Sequence, residues 1–284
     1  MLIDSHIHLD NDRFAEDRRA VLERANAAGV GLMLCIGIGE QAREMHRGLD
    51  VCREFNGPGG ERTVGLPRLL ASAGVYPHNT AEMDAKLLIQ LDALLAEPEV
   101  IACGEIGLDY YHDGASKAVQ HAGLIAQLEI AAARKRPILI HCRPEDDAPS
   151  ANPAAWEDLF AILEGHWGQT GLGGVMHCFS GDQRQAERSL EMGFLLSFAG
   201  NLTFPRAEGL RSVAAGLAPD SVLVETDAPW LAPVPERGKR NESSLMVHTA
   251  HVLAELMGLS DAEIADRTTK NFLRLFGLKS DVGN

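Results

Sequence analysis

At 284 residues the chain is long for an ordinary domain but suits a barrel fold, which needs about 250. It is 45% hydrophobic and 23% charged, enough for a sizeable core, and no apolar run reaches the ~18 residues of a membrane span. A net charge of −14 excludes a protein that holds nucleic acid through a general basic surface. An anionic substrate must instead be gripped by local cations or by metal ions. Asp4, Asp10 and Asp12 are incompatible with a signal peptide. Five cysteines without a CxxC pair fit a reducing compartment, so the expected location is cytoplasmic, with no membrane association and no obligate protein partner indicated.

The first predicted element, LIDSHIHL (2–9), is a strand with two histidines. Alternate side chains of a strand share a face, so His6 and His8 point the same way, and Asp4 is expected beneath them. Seven more apolar runs follow: VGLMLCIGI (30–38), RLLASAGVYP (68–77), VIACGEIGLD (100–109), PILIHCR (137–143), GGVMHCFS (173–180), GFLLSFAGN (193–201) and VLVETDAPW (222–230). Their centres lie about 30 residues apart, the βα repeat length, and few alternate cleanly, as expected for strands buried on both faces. Amphipathic helices fill the gaps. In one, Leu87, Leu88, Leu91, Leu94 and Leu95 share a face. In the last, Ser260 and Glu263 form a capping box ahead of Phe272, Leu275 and Phe276. The stretch 144–153 reads as an enlarged loop. No linker interrupts the pattern, so residues 1–284 are expected to form a single α/β domain, a (β/α)8 TIM barrel. An open doubly wound sheet is the alternative, but the first βα turn carries HIHLDND where a dinucleotide fold carries GxGxxG.

Function in such a barrel sits at the C-terminal ends of its strands. The first strand ends with His6 and His8, the fourth with Glu105, the fifth with His141, the sixth with His177 and the eighth with Asp227. Alternation turns Cys142 and Cys178 away from this face into the packing layer. Four imidazoles and two carboxylates suit two divalent ions that share a carboxylate and activate a water for hydrolysis. The ligand types leave the metal open among zinc, magnesium, manganese and cobalt. His46, His112, His121, His166, His248 and His251 are read as hydrogen-bonded core or rim residues.

The segments HIH, GEIGLDYY (104–111), IHCR (140–143), HCFSG (177–181), ETDAPWLAP (225–233), RGKRNE (237–242) and TKNFLRLFG (269–277) resemble the TatD family of metal-dependent hydrolases, part of the amidohydrolase-like barrels. The resemblance implies phosphodiester hydrolysis, with DNA or a short oligonucleotide as substrate. It assigns one metal to His6, His8, Glu105 and Asp227. It assigns a second to Glu105, His141 and His177, with Glu105 bridging and Asp227 taking a proton from the nucleophilic water. The family often reads GxHPH where this chain has Gly74-Val75-Tyr76-Pro77-His78, so Tyr76 replaces a histidine and His78 remains. RNEP becomes Arg240-Asn241-Glu242-Ser243. The fifth-strand loop is longer and acidic, with Glu145, Asp146 and Asp147.

His78, Arg143, Arg237, Lys239 and Arg240 are the candidate substrate or phosphate contacts, and Asp4 and Glu225 are candidates for orienting a ligand. A dinuclear amidohydrolase-like enzyme acting on a C–N or ester bond of a small molecule is the second functional reading. Against it, many such barrels carry a carbamylated lysine on the fifth strand, where this chain offers Glu105 on the fourth. A barrel that has lost its function is the third; the presence of all six ligand-type residues opposes it.

Overall fold

The structure, a computed structural model, describes residues 1–145 and 154–279. Among the described residues, eight strands form one parallel sheet in chain order: β1 Leu2–Ile7, β2 Val30–Cys35, β3 Arg68–Ala73, β4 Val100–Asp109, β5 Ile138–Arg143, β6 Gly174–Met176, β7 Phe194–Phe198 and β8 Val222–Val224. Between and after them run α1 Arg18–Ala27, α2 Arg47–Phe55, α3 Ala85–Ala96, α4 Lys117–Arg134, α5 Ala154–His166, α6 Gln183–Glu191, α7 Glu208–Ala215, α8 Met246–Met257 and α9 Asp261–Leu275. This is the expected (β/α)8 barrel. None of the described helices is long and apolar enough to cross a membrane.

The sheet closes on itself at the mouth. β8 is only three residues long, and the chain just beyond it completes the seam: Asp227 N–H donates to the His6 carbonyl at 3.0 Å and His8 N–H to the Ala228 carbonyl at 2.9 Å. The seam of the barrel therefore passes between His6, His8 and Asp227.

Two apolar layers follow from strands buried on both faces. Inside the barrel, Ile3, Leu32, Leu34, Leu70, Ile101, Leu139, Val175, Leu195 and Leu223 pack with Phe272 and Leu273 of α9, which plugs the N-terminal end. The larger layer lies between strands and helices. On α3, Leu91 and Leu95 are buried in it and Leu87 and Leu94 pack against it, while Leu88 is half-buried, so the expected face holds apart from its edge. α9 begins at the expected capping box, with Glu263 N–H donating to Ser260 Oγ and Ser260 N–H to Glu263 Oε2.

One local expectation fails on β1. Asp4 pairs with Met33 and Ile7 with Cys35, so three steps on β1 oppose two on β2, the signature of a bulge. Met33 and Cys35 belong to the outer layer. The extra residue inverts the parity, so Asp4 faces outward while His6 and His8 face the mouth. There Asp4 accepts from Thr226 N–H at 3.0 Å, Thr226 Oγ1 at 2.7 Å and Ser243 Oγ at 2.6 Å. It secures the backbone that carries His6 and Asp227 and touches neither side chain. Ser243, at the position where RNEP has proline, is thus a hydrogen-bonded anchor. With Asp4 fully buried, desolvation pushes its carboxyl up to about 6, against the lowering pull of these hydrogen bonds.

Candidate metal centre

The strand ends surround a cavity of about 520 Å³, lined among others by His8, Glu105, His141, His177, Asp227 and Trp230. Glu105 lies at its centre and is 2% exposed. Gly104 makes this position possible. Its φ of +153° is open to glycine, and a Cβ there would lie 2.6 Å from Leu139.

The two oxygens of Glu105 face different partners. Oε2 lies 3.3 Å from His6 Nε2 and 3.7 Å from His8 Nε2. Oε1 lies 2.8 Å from His141 Nδ1 and 3.5 Å from His177 Nε2. On the first side, His6 Nε2 and His8 Nε2 are 3.2 Å apart, and Asp227 Oδ1 is 3.9 and 3.3 Å from them. A tetrahedral ion with bonds of about 2.1 Å has ligand-to-ligand edges of about 3.4 Å. His6, His8 and Asp227 offer three donor atoms at such edges. Glu105 Oε2 lies against the two imidazoles, and the chemistry of two imidazoles with carboxylates suits a divalent cation. The six strand-end residues expected to meet do meet.

The charges explain how so much polarity is buried. Burial alone would raise the Glu105 carboxyl, but the His177 charge and the bonds from His141 and His6 hold it well below the usual carboxylate range. Asp227, which burial would likewise raise, is lowered by His8 and His177. Burial would lower His177; Glu225 and Glu105 beside it push it up to about 10. His6, buried against His177, is lowered.

Behind the donors stand groups that fix their direction. Glu225, fully buried on the ligand face as expected, lies 2.8 Å from His177 Nδ1 and accepts the Cys178 N–H at 2.9 Å. Asp109, also fully buried, lies 3.3 Å from His141 Nε2. The sequence reading missed Asp109, although a strand residue four beyond Glu105 must share its face. Tyr76 donates to Asp109 at 3.1 Å and lies 3.1 Å from His141 Nε2, so its hydroxyl is engaged in this group. His112, expected as a hydrogen-bonded core or rim residue, stands half-exposed at the cavity rim with Nδ1 3.0 Å from Asp109, and His78 Nε2 is 3.1 Å from the same carboxylate.

Cys142 packs against the strand–helix layer as alternation requires, and also touches the cavity wall. Cys178 does not follow alternation: β6 ends at Met176, so Cys178 lies beyond the strand with φ +44° and borders the cavity. Arg143 lines the cavity with its guanidinium 4.4 Å above the Tyr111 ring. The eighth-strand loop is different. Arg240 makes two 2.7 Å bonds to Asp17 and a third to the Arg13 carbonyl, Arg237 covers Phe204, and Lys239 pairs with Glu236. None of the three lines the cavity. Of the acidic loop, Glu145 pairs with Lys117, and Asp146 and Asp147 lie outside the described residues. Trp230, overlooked in the sequence, stands 46% exposed at the mouth with its ring edge-on to His8 at 5.0 Å.

Imidazoles and carboxylates gathered at the C-terminal mouth of a (β/α)8 barrel make the arrangement of a metal-dependent hydrolase. Residues 3–277 match the family described as TatD related DNase, and the chain belongs to that family. It is 36% identical over 278 residues to the uncharacterized metal-dependent hydrolase YcfH of Escherichia coli (strain K12), covering 97% of this chain and 95% of that one. It is 31% identical over 282 residues to the 3'-5' ssDNA/RNA exonuclease TatD of Erwinia tasmaniensis, covering 98% of this chain and all of that one (100%). The solved structure of YjjV, a TatD homolog from Escherichia coli K12, superposes with a TM-score of 0.84 at 30% identity, over 98% of both chains. The protein is a TatD-type metal-dependent hydrolase.

Proposed function

We propose that the chain is a dinuclear-metal phosphodiesterase that shortens single-stranded DNA or short oligonucleotides, acting as one catalytic unit in the cytoplasm. The observation that carries this reading is the division of Glu105, one oxygen toward His6 and His8 and the other toward His141 and His177. In this reading His6, His8, Glu105 and Asp227 hold one divalent ion (zinc, magnesium, manganese or cobalt) and Glu105, His141 and His177 hold the other. Two such ions lower the pKa of a water and offset the charge that builds on a phosphoryl group.

The chain's own residues supply the rest. Asp227 borders the cavity and is held ionised by His8 and His177, so it is available to take the proton of the attacking water. Glu225 and Asp109 hold the imidazoles of His177 and His141 in the orientation that turns Nε2 and Nδ1, respectively, toward Glu105. Arg143 offers a forked donor to a phosphate at the wall of the cavity. Trp230 offers a flat apolar face to an unstacked base, which a duplex does not present. The exonuclease name of the Erwinia relative supports the substrate class. Five cysteines without a disulfide fit a reducing interior.

The test is a panel of single-stranded and duplex oligonucleotides, small amides and lactones, assayed after chelation and after magnesium, manganese, cobalt or zinc is restored. Loss of phosphodiesterase activity on chelation and its return with metal are expected. Full activity in the chelated protein overturns the reading, and turnover confined to amides or lactones replaces it with the C–N or ester alternative.

A further inference from the structure

Asp109 sits at the edge of the centre just described and is unusually crowded. Its Oδ1 accepts the backbone N–H groups of Tyr111 at 3.0 Å and His112 at 3.1 Å. Its Oδ2 has four neighbours: His112 Nδ1 at 3.0 Å, Tyr76 Oη and His78 Nε2 each at 3.1 Å, and His141 Nε2 at 3.3 Å. A carboxylate has about four lone-pair sites in all, two on each oxygen. Two are filled at Oδ1, leaving about two for the four groups at Oδ2. His78 Nε2 is the group left over: the atom is buried and makes no hydrogen bond of acceptable geometry. Proton sharing alone does not satisfy this set.

A cation relieves the crowding. Two imidazoles that turn lone pairs rather than protons toward a shared ion no longer compete for Oδ2, so the four groups at that oxygen become three: the ion, Tyr76 and His141. His78, Asp109 and His112 come from three separate places: the loop after β3, the end of β4 and the turn beyond it. Their donor atoms all lie within 4.8 Å of one another. Edges of 3.0 and 3.1 Å from the carboxylate to the two nitrogens match adjacent ligands on an ion with bonds of about 2.1 Å. The geometry points to a further divalent-cation site at His78, Asp109 and His112, distinct from the cluster around Glu105. Two imidazoles and one carboxylate with remaining positions open are a zinc-type set, which cobalt also fits. Because His112 borders the cavity, an ion there faces the substrate space. It would bring positive charge to a mouth whose nearby loop cations, Arg237, Lys239 and Arg240, are engaged elsewhere. A phosphate group beyond the one being cleaved is the ligand class such an ion would take.

The experiment is metal stoichiometry, read by elemental analysis and by Zn²⁺ titration of the chelated full chain against a chromophoric competitor. Wild type is compared with His112→Ala, His112→Gln, His78→Ala, Glu105→Ala and the Glu105→Ala/His112→Ala pair. Each single histidine variant is expected to hold one ion fewer than wild type, and the double variant one fewer than Glu105→Ala. Loading with Co²⁺ should show one component of the ligand-field absorption vanish with His112. Circular dichroism checks folding, and the half-exposed His112 side chain makes that substitution mild. Equal stoichiometry in wild type and both His112 variants overturns the rim site. The subtraction does not depend on how many ions the Glu105 cluster holds, so failure of the dinuclear reading appears separately, as a Glu105→Ala variant with unchanged metal content.

Discussion

The two ends of the barrel are built from the same eight strands and solve burial in opposite ways. At the N-terminal end, Ile3, Leu32, Leu139 and Leu223 meet Phe272 and Leu273 from α9, and stability comes from apolar area removed from water. At the mouth, only a few residues further along those strands, His6, Glu105 and Glu225 are at most 2% exposed. There, burial is tolerated because each charge faces an opposite one. A change at the plug should therefore cost stability and spare chemistry, whereas a change at the mouth should cost chemistry first.

Glu105→Ala tests this most severely. It removes the carboxylate between the two histidine pairs, and turnover of an oligonucleotide should fall on the order of a thousandfold. Circular dichroism should remain that of the native fold; retained activity would break the comparison at its centre. Phe272→Ala is the counterpart at the plug. Emptying a fully buried ring site should lower unfolding free energy by about 3 kcal/mol in a denaturant titration. Metal content and kcat should stay as in wild type, and a loss of kcat would show that the two ends are coupled.

Glu225→Gln probes the layer between them. The amide keeps the shape but loses the charge beside His177 Nδ1, and metal affinity should weaken about 10- to 100-fold. An unchanged affinity would reduce Glu225 to a packing role.

The mildest effect is with pH. In chelated protein, His177 is raised from an ordinary 6.5 to about 10, so it carries a proton at neutral pH. A raised pKa contributes stability that is fully present below 6.5 and lost as the pH climbs through about 10. Chelated protein should therefore lose Tm between pH 7 and 10, and metal-loaded protein should not follow it. Metal uptake at pH 7 should also release protons, measurable by calorimetry in buffers of different ionisation enthalpy.

Much of this molecule was legible in the chain. The βα repeat implied the barrel, and because the ends of parallel barrel strands converge, each donor could be placed from its own run: His6, His8, Glu105, His141, His177 and Asp227. Glu225 was equally readable, two residues before Asp227. Local periodicity failed where the backbone broke step. The bulge in β1 turned Asp4 outward, and the early end of β6 left Cys178 at the cavity wall rather than behind it.

What only the tertiary structure decided is which distant partners share a charge. Arg240 reads as a phosphate contact on its position after the eighth strand, yet its guanidinium is bound to Asp17, 223 residues away. Asp109 reads as an ordinary strand residue, yet four side chains from three segments converge on its Oδ2: Tyr76 and His78 after β3, His112 beyond β4 and His141 on β5. The sequence by itself determined the repeating strands and which residue type ends each one, because alternation and βα spacing are properties of neighbouring residues. The pairing of Arg240, the crowding at Asp109 and the parity of Asp4 depend on how separate segments meet in space. No local pattern encodes that meeting.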